Sequence, residues 1–287
     1  MNGGRSEIVR ITVTMTVVCA LAGLVLGAAF VATHRYRESA DRRTERRAIS
    51  DLLQLDSAAT VVEVRQLFAP GRREVIYRTA PLGAAAEREI VFGIDGRLVA
   101  SGTAATGGTG RGEAGAARDD DAPALIPLGR MFVAFRGGTP AGFVVEGESR
   151  GYKNRIRFFV ALTRGFEIAG VRVVEHEEDP GLGAEVATPA FQGQYLGRAA
   201  ADLEALEVTK DPMPEDWRAA LATVGRAPRD AWRERHGALL ARERGKPVYA
   251  VTGATISSRA LTDGVRETVD HFRRRWALLA PQLGGPS

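Results

Sequence analysis

Two short segments carry the residue types and spacings that could do chemistry. In Val251-Thr252-Gly253-Ala254-Thr255-Ile256-Ser257-Ser258, an apolar lead-in meets two threonine hydroxyls separated by glycine and alanine, and a helical run follows. Gly253 and Ala254 let the backbone approach a ligand closely. A helix starting here directs unpaired N–H groups and its positive dipole end outward, which suits a phosphate. The same residues also read as an ordinary turn, with Ser257 or Ser258 capping the helix. In His176-Glu177-Glu178-Asp179-Pro180-Gly181-Leu182-Gly183, the Pro-Gly-Leu-Gly part makes a tight loop with an apolar tip behind three acids. Glu178 and Asp179 either accept hydrogen bonds from a ligand or fix the turn, and the stretch also reads as an acidic, solvated loop.

The rest of the chain excludes several other chemistries. Cys19 is the single cysteine, so there is no internal disulfide, no dithiol pair and no iron–sulfur cluster held by this chain's own thiolates. Four histidines without metal-type spacing argue against a zinc site, and no serine–histidine–acid pattern is present. The sequence therefore carries no catalytic centre and no metal site of its own. Its 39 basic residues nearly balance 35 acidic ones, and the basic clusters are confined to Arg35 to Arg47 and Arg273-Arg274-Arg275. That distribution speaks against a nucleic-acid partner. Gly108-Thr109-Gly110-Arg111-Gly112 lacks the preceding strand and following helix of a dinucleotide fingerprint.

The elements that must position the two segments are legible from periodicity. Residues 1–10 are an N-terminal tail. From Ile11 to Thr33 the chain is uncharged and apolar or small, long enough to cross the roughly 30 Å hydrocarbon core of a lipid bilayer as one helix. The Lys and Arg residues beyond Thr33 outnumber those before Ile11, which by count alone places the C-terminal part in the cytoplasm. Residues 34–102 hold a short helix, Glu38 to Leu55, and then β-rich runs with Asp95-Gly96 as a hairpin turn. Residues 103–123 form a Gly/Ala/Asp linker with little to bury. In 124–287 the β runs resume, with Gly137-Gly138 and Arg164-Gly165 as turns. Thr188 to Leu206 and Pro214 to Arg244 read as helical, with Trp217 and Trp232 packed against the sheet edge. Leu261, Val265, Thr268 or Val269, Phe272, Trp276 and Leu279 recur at helical spacing. The fold class is α+β: an antiparallel sheet with a C-terminal amphipathic helix, plus one N-terminal transmembrane helix.

Taken together the segments resemble the covalent-FMN subunits of two related bacterial redox complexes, the G subunit of the Rnf complex and the C subunit of the sodium-translocating NADH:quinone reductase. The resemblance runs from about Ala141 to Asp270. It rests on Gly151-Tyr152, then Glu175-His176-Glu177-Glu178-Asp179-Pro180-Gly181-Leu182-Gly183, then Thr252-Gly253-Ala254-Thr255, in that order. It implies that FMN is esterified through its phosphate to Thr255 Oγ1, installed by a flavin transferase that draws on FAD and magnesium. By the same analogy Thr252, Gly253, Ala254 and Ser257 hold the cofactor together with Glu178 and the loop Pro180, Gly181, Leu182 and Gly183. It also implies electron transfer with other subunits of an ion-translocating complex in the bacterial inner membrane, the flavin domain lying on the periplasmic side against the arginine count.

Two departures stand out. Tyr249 occupies a position where the family carries Asp, which bears on how efficiently the transferase modifies this chain. Asp179 replaces a family threonine, and a carboxylate there is expected to repel anionic flavin and lower its reduction potential. Rival readings are a covalent-FMN module of another membrane reductase or a redox-sensing regulator, and a membrane-anchored binding module without redox chemistry.

Overall fold

The three turn signals place the chain reversals. Asp95-Gly96 joins β3 (Arg88–Gly93) to β4 (Leu98–Thr103). Gly137-Gly138, both at positive φ, joins β5 (Ile126–Arg136) to β6 (Thr139–Arg150). Arg164-Gly165 joins β7 (Arg155–Thr163) to β8 (Ile168–Glu175). With β1 (Thr60–Ala69) and β2 (Glu74–Pro81) these strands form one eight-stranded sheet in the order β4-β3-β2-β1-β5-β6-β7-β8. Every neighbouring pair in it is antiparallel. The β-rich runs on either side of residues 104–124 therefore share a sheet, because β5 pairs with β1.

The computed structural model describes residues 14–27, 30, 45, 47–54, 59–82, 85, 88–103, 125–225 and 228–283. The linker expected at 103–123 lies outside them except for Thr103. The chain divides into two compact units, Met1–Ala48 and Ile49–Ser287. In the first, residues 14–27 and 30 are helical. Among the described residues no helix is long and apolar enough to cross a membrane. Residues 11–13, 28, 29 and 31–33 of the expected span lie outside the described set, as do 38–44, 46 and 55 of the expected helix Glu38 to Leu55, of which 45 and 47–53 are helical.

One long element covers the sheet. The C-terminal helix Thr255–Leu279 buries Leu261, Val265, Val269, Phe272 and Leu279, against Phe143, Phe158, Val160 and Leu162 of β6 and β7. Each such side chain contributes about 1.5–3 kcal/mol of burial. The approach is close because Gly264 faces Ser149: a Cβ on Gly264 would stand 2.7 Å from Ser149 Cβ and 2.9 Å from Phe158 Cζ. On the opposite face Leu52 Cδ2 lies 2.8 Å from where Gly170 would carry a Cβ.

Between β8 and this helix the chain builds a smaller helical layer: Pro189–Gln192, Glu215–Leu221 and Arg229–Glu243, with a two-stranded parallel pair, β9 (Val208–Thr209) and β10 (Val248–Tyr249). The tryptophans correct the sequence reading. Trp217 and Trp232 do not form their core with the sheet edge; they pack with Leu196, Ala220, Leu221 and Tyr249 in a second cluster. A buried indole N–H needs an acceptor, and Trp232 Nε1 finds Ala220 O at 3.1 Å and Thr223 Oγ1 at 3.0 Å at the end of Glu215–Leu221.

Candidate functional site

The end of β8 and the turn between β6 and β7 meet by strand register. Arg157 opposes Glu175, so the residues before Arg157 face those after Glu175. The turn is closed by Gly151 N–H on Asn154 O at 2.8 Å. It then clasps the acidic run in sequence: Asn154 Nδ2 donates to Glu177 Oε2 at 2.7 Å, Lys153 N–H to Glu178 Oε1 at 2.9 Å and Lys153 Nζ to Asp179 Oδ1 at 2.5 Å.

Glu178 is buried and joins three segments. Its second oxygen accepts the Ser257 hydroxyl from the first turn of the C-terminal helix. Burial opposes its ionisation, but the hydrogen bonds from Ser257 and from the N–H groups of Lys153, Tyr152 and Asn154 outweigh that and hold the carboxyl below its usual range. Gly151 and Gly183 wall the carboxylate in, since a Cβ at either would collide with a Glu178 carboxylate oxygen. Glu178 thus fixes the turn and is the post on which the loop is hung.

The loop Pro180 to Gly183 leaves this post in a tight reversal, with Leu182 N–H and Ala184 N–H both on Asp179 O at 3.2 and 3.0 Å. Leu182 at its tip is 47% exposed, and its Cδ2 lies 3.0 Å from the Cβ position of Gly253. Gly253 itself sits at φ +79°, a left-handed conformation that glycine adopts without penalty. The loop and the Thr252–Thr255 turn are therefore in contact.

The helix start also departs from expectation. Ala254 occupies the N-cap position and no side chain caps the helix. Ser257 is committed to Glu178, and Ser258 Oγ donates to Ala254 O at 2.9 Å while accepting Val251 N–H at 3.0 Å. Ser257 cannot cap, because the helix begins at Thr255 and places it inside the first turn, where its hydroxyl donates to the charged carboxylate. The N–H groups of Thr255, Ile256 and Ser257 are left without a capping side chain, in the arrangement that binds anions. Thr255 is half-buried, while Thr252, Gly253 and Ile256 are exposed. Around Thr255 stand exposed apolar side chains: Ile256 at 58%, Leu182, and Tyr152 at 67% beside Glu178. A phosphate at the uncapped helix start and a planar ring against these apolar groups fit the residues present.

Asp179 does not present an uncompensated charge, as its substitution for threonine had suggested. Lys153 stands against it, and that contact raises the lysine's pKa. Lys153 and Asn154 were missed in the sequence because the acids they clasp are more than twenty residues away; their only sign was a basic and an amide residue in a turn whose partner strand ends in acids.

Behind the site, Tyr249 is pinned from both sides. Gln194 accepts Tyr249 N–H at 2.8 Å and donates to Tyr249 O at 3.1 Å, and the Tyr249 hydroxyl donates to buried Glu243 at 2.9 Å. Burial and the neighbouring Glu243 push the phenol up to about 12. A cavity of about 380 Å³ lies apart from Thr255, between β8, Leu52, Gln192, Arg229 and Trp232.

The family model of the FMN-binding domain matches residues 151–270, the stretch that runs from the clasping turn through Thr255. Relatives of this chain include the G subunit of the proton-translocating ferredoxin:NAD(+) oxidoreductase complex of Clostridium ljungdahlii, 31% identical over 139 residues, which are 48% of this chain and 57% of that one. The G subunit of the ion-translocating oxidoreductase complex of Methanosarcina acetivorans is 30% identical over 135 residues, 47% and 53% of the two chains. The G subunit of the Na(+)-translocating ferredoxin:NAD(+) oxidoreductase complex of Acetobacterium woodii is 23% identical over 144 residues, 50% and 55% of the two chains. The chain thus spans little more than half the length of the relatives it matches. The crystal structure of Shewanella oneidensis NqrC is similar over 53% of this chain and 64% of that one, at 22% identity and a TM-score of 0.37. The resemblance to the G subunits carried by the sequence motifs is the one these relatives bear.

Proposed function

We propose that this protein is a membrane-anchored electron-carrying subunit of an ion-translocating oxidoreductase complex, with FMN held covalently as a phosphoester on Thr255. The observation that carries the reading is the uncapped start of Thr255–Leu279, with the half-buried Thr255 at its first position and the Pro180–Gly183 loop laid against Gly253. Thr255 Oγ1 forms the bond to phosphorus and gives up its proton; with FAD as donor to a flavin transferase, AMP is the leaving group. The N–H groups of the first turn hold the phosphate, and Leu182, Ile256 and Tyr152 offer apolar surface to the ring. Glu178 and Ser257 set the distance between loop and helix. When bound, FMN supplies a ring that takes up and releases electrons.

Covalent attachment suits so open a site: the described residues around Thr255 orient a ligand without enclosing it, so affinity alone would hold FMN weakly. The anchor is the apolar run Ile11 to Thr33, with the flavin domain on the periplasmic side of the inner membrane. The names of the relatives specify protons for one and sodium for another, so the ion is left unassigned. The test is to co-express the full chain with a flavin transferase and read flavin fluorescence after denaturing electrophoresis. Fluorescence is expected in the parent and in Thr252→Ala, and none in Thr255→Ala; a fluorescent Thr255→Ala band would sink the attachment site.

A further inference from the structure

Among the large apolar side chains exposed on the folded unit Ile49–Ser287, Leu182 and Ile256 lie at the Thr252–Thr255 turn, and Val99, Leu125, Ile126 and Leu128 lie in β4 and at the start of β5. A further set lies toward the opposite end of the C-terminal helix and has no part in the flavin site. There the β1–β2 turn (residues 70–73) and the β3–β4 turn (residues 94–97) are joined by Ile94 N–H on Arg73 O at 3.2 Å, and Leu278 of the helix lies 3.8 Å from the Cβ position of Gly96. Ile94, Leu98 and Leu278 are 55%, 46% and 40% exposed.

Charge singles this end out. Arg72, Arg73 and Arg97 are all exposed, and among the described residues none of their guanidinium groups has a carboxylate within ion-pair distance. The acid in the cluster, Asp95, uses Oδ1 to accept Arg97 N–H at 3.1 Å. Most other arginines on the sheet are paired: Arg78 with Glu89, Arg130 and Arg157 with Glu146. Unpaired guanidinium groups ringing exposed aliphatic side chains, with no exposed aromatic among them, match a bilayer interface with anionic headgroups. A protein hot spot also favours Arg but joins it to Trp and Tyr, with Leu under-represented, and this end presents aliphatic side chains, two of them leucines, in place of those aromatics.

We propose that this turn-and-helix end rests on an anionic lipid surface, Arg72, Arg73 and Arg97 contacting headgroup phosphates and Ile94, Leu98 and Leu278 dipping among the acyl chains. The helix Thr255–Leu279 then acts as a strut, its 25 residues separating Thr255 from the lipid-facing end by about 36 Å along the axis. The proposal uses none of the flavin chemistry.

The experiment uses the full chain with vesicles of phosphatidylcholine alone or with a third phosphatidylglycerol, and reads amide hydrogen exchange at residues 70–74 and 94–98. Exchange there is expected to slow only on the anionic vesicles and to recover at high salt. Each Arg→Gln substitution at 72, 73 or 97 should weaken the anionic-vesicle effect about fivefold, with exchange elsewhere unchanged. Equal exchange on both lipids overturns the proposal, as does protection that arises only when other protein subunits are added. Co-sedimentation with phosphatidylcholine alone reports on the N-terminal anchor, so the two readings fail separately.

Discussion

The hydroxyl of Ser257 donates to the buried carboxylate of Glu178, and this bond ties the acceptor helix to the loop that faces it. Seventy-nine positions separate the two residues, and the backbone donors of the β6–β7 turn complete the same carboxylate. Removing one donor from a buried charge costs more than an exposed hydrogen bond, about 1–3 kcal/mol. Ser257→Ala is therefore expected to lower the unfolding free energy by that amount, read as a lower denaturant midpoint; an unchanged midpoint would mean the carboxylate is satisfied without it.

The same carboxylate sets an acid limit. Its folded pKa is depressed, so its contribution is fully present above the unfolded value, about 4.3, and is lost as pH falls through the depressed one. Stability measured against pH below about 4.3 should fall less steeply in Glu178→Gln than in the parent. Parallel acid limbs would place the proton uptake on another group.

The Lys153–Asp179 pair predicts opposite shifts in flavin potential. Asp179→Thr leaves the Lys153 ammonium unpaired and should raise the potential, Lys153→Gln leaves the carboxylate unpaired and should lower it, and the double variant should return toward the parent. Spectroelectrochemical titration of the three proteins reads this directly. Equal shifts in both single variants would detach the pair from the flavin.

Gly264 should reverse the usual rule for glycine in a helix. Alanine at an exposed helical site gains about 1 kcal/mol over glycine. Here the added methyl would press on Ser149 Cβ and Phe158 Cζ, and overpacking costs about 1–3 kcal/mol. Gly264→Ala is expected to unfold at lower denaturant than the parent, and a stabilised variant would show that helix and sheet can separate at no cost.

The hairpins were readable because their turns depend on local chemistry: Asp95-Gly96 and Gly137-Gly138 supply the positive φ that tight reversals need, whatever surrounds them. The covered face of the last helix was readable for a similar reason, since the spacing of Leu261, Val265, Val269 and Phe272 decides it alone. The serine cap was misread because the helix begins at Thr255, three residues before a cap at Ser257 would start it, so Ser257 lies within its first turn and donates to Glu178 instead. Trp232 was misassigned because its N–H acceptors, Ala220 O and Thr223 Oγ1, lie in and just beyond a neighbouring helix that periodicity does not locate.

By itself the sequence determined the order of the three site segments, the antiparallel character of the sheet and that Thr255 lies near a helix start. Those depend on residue type, turn chemistry and period, which act over a few bonds. Only the tertiary structure decided that Glu178 is a buried post, that Lys153 neutralises Asp179 and that the helix start is left uncapped. Each of these is a contest between partners distant in the chain, settled by strand register and by which donor reaches a buried charge first in space.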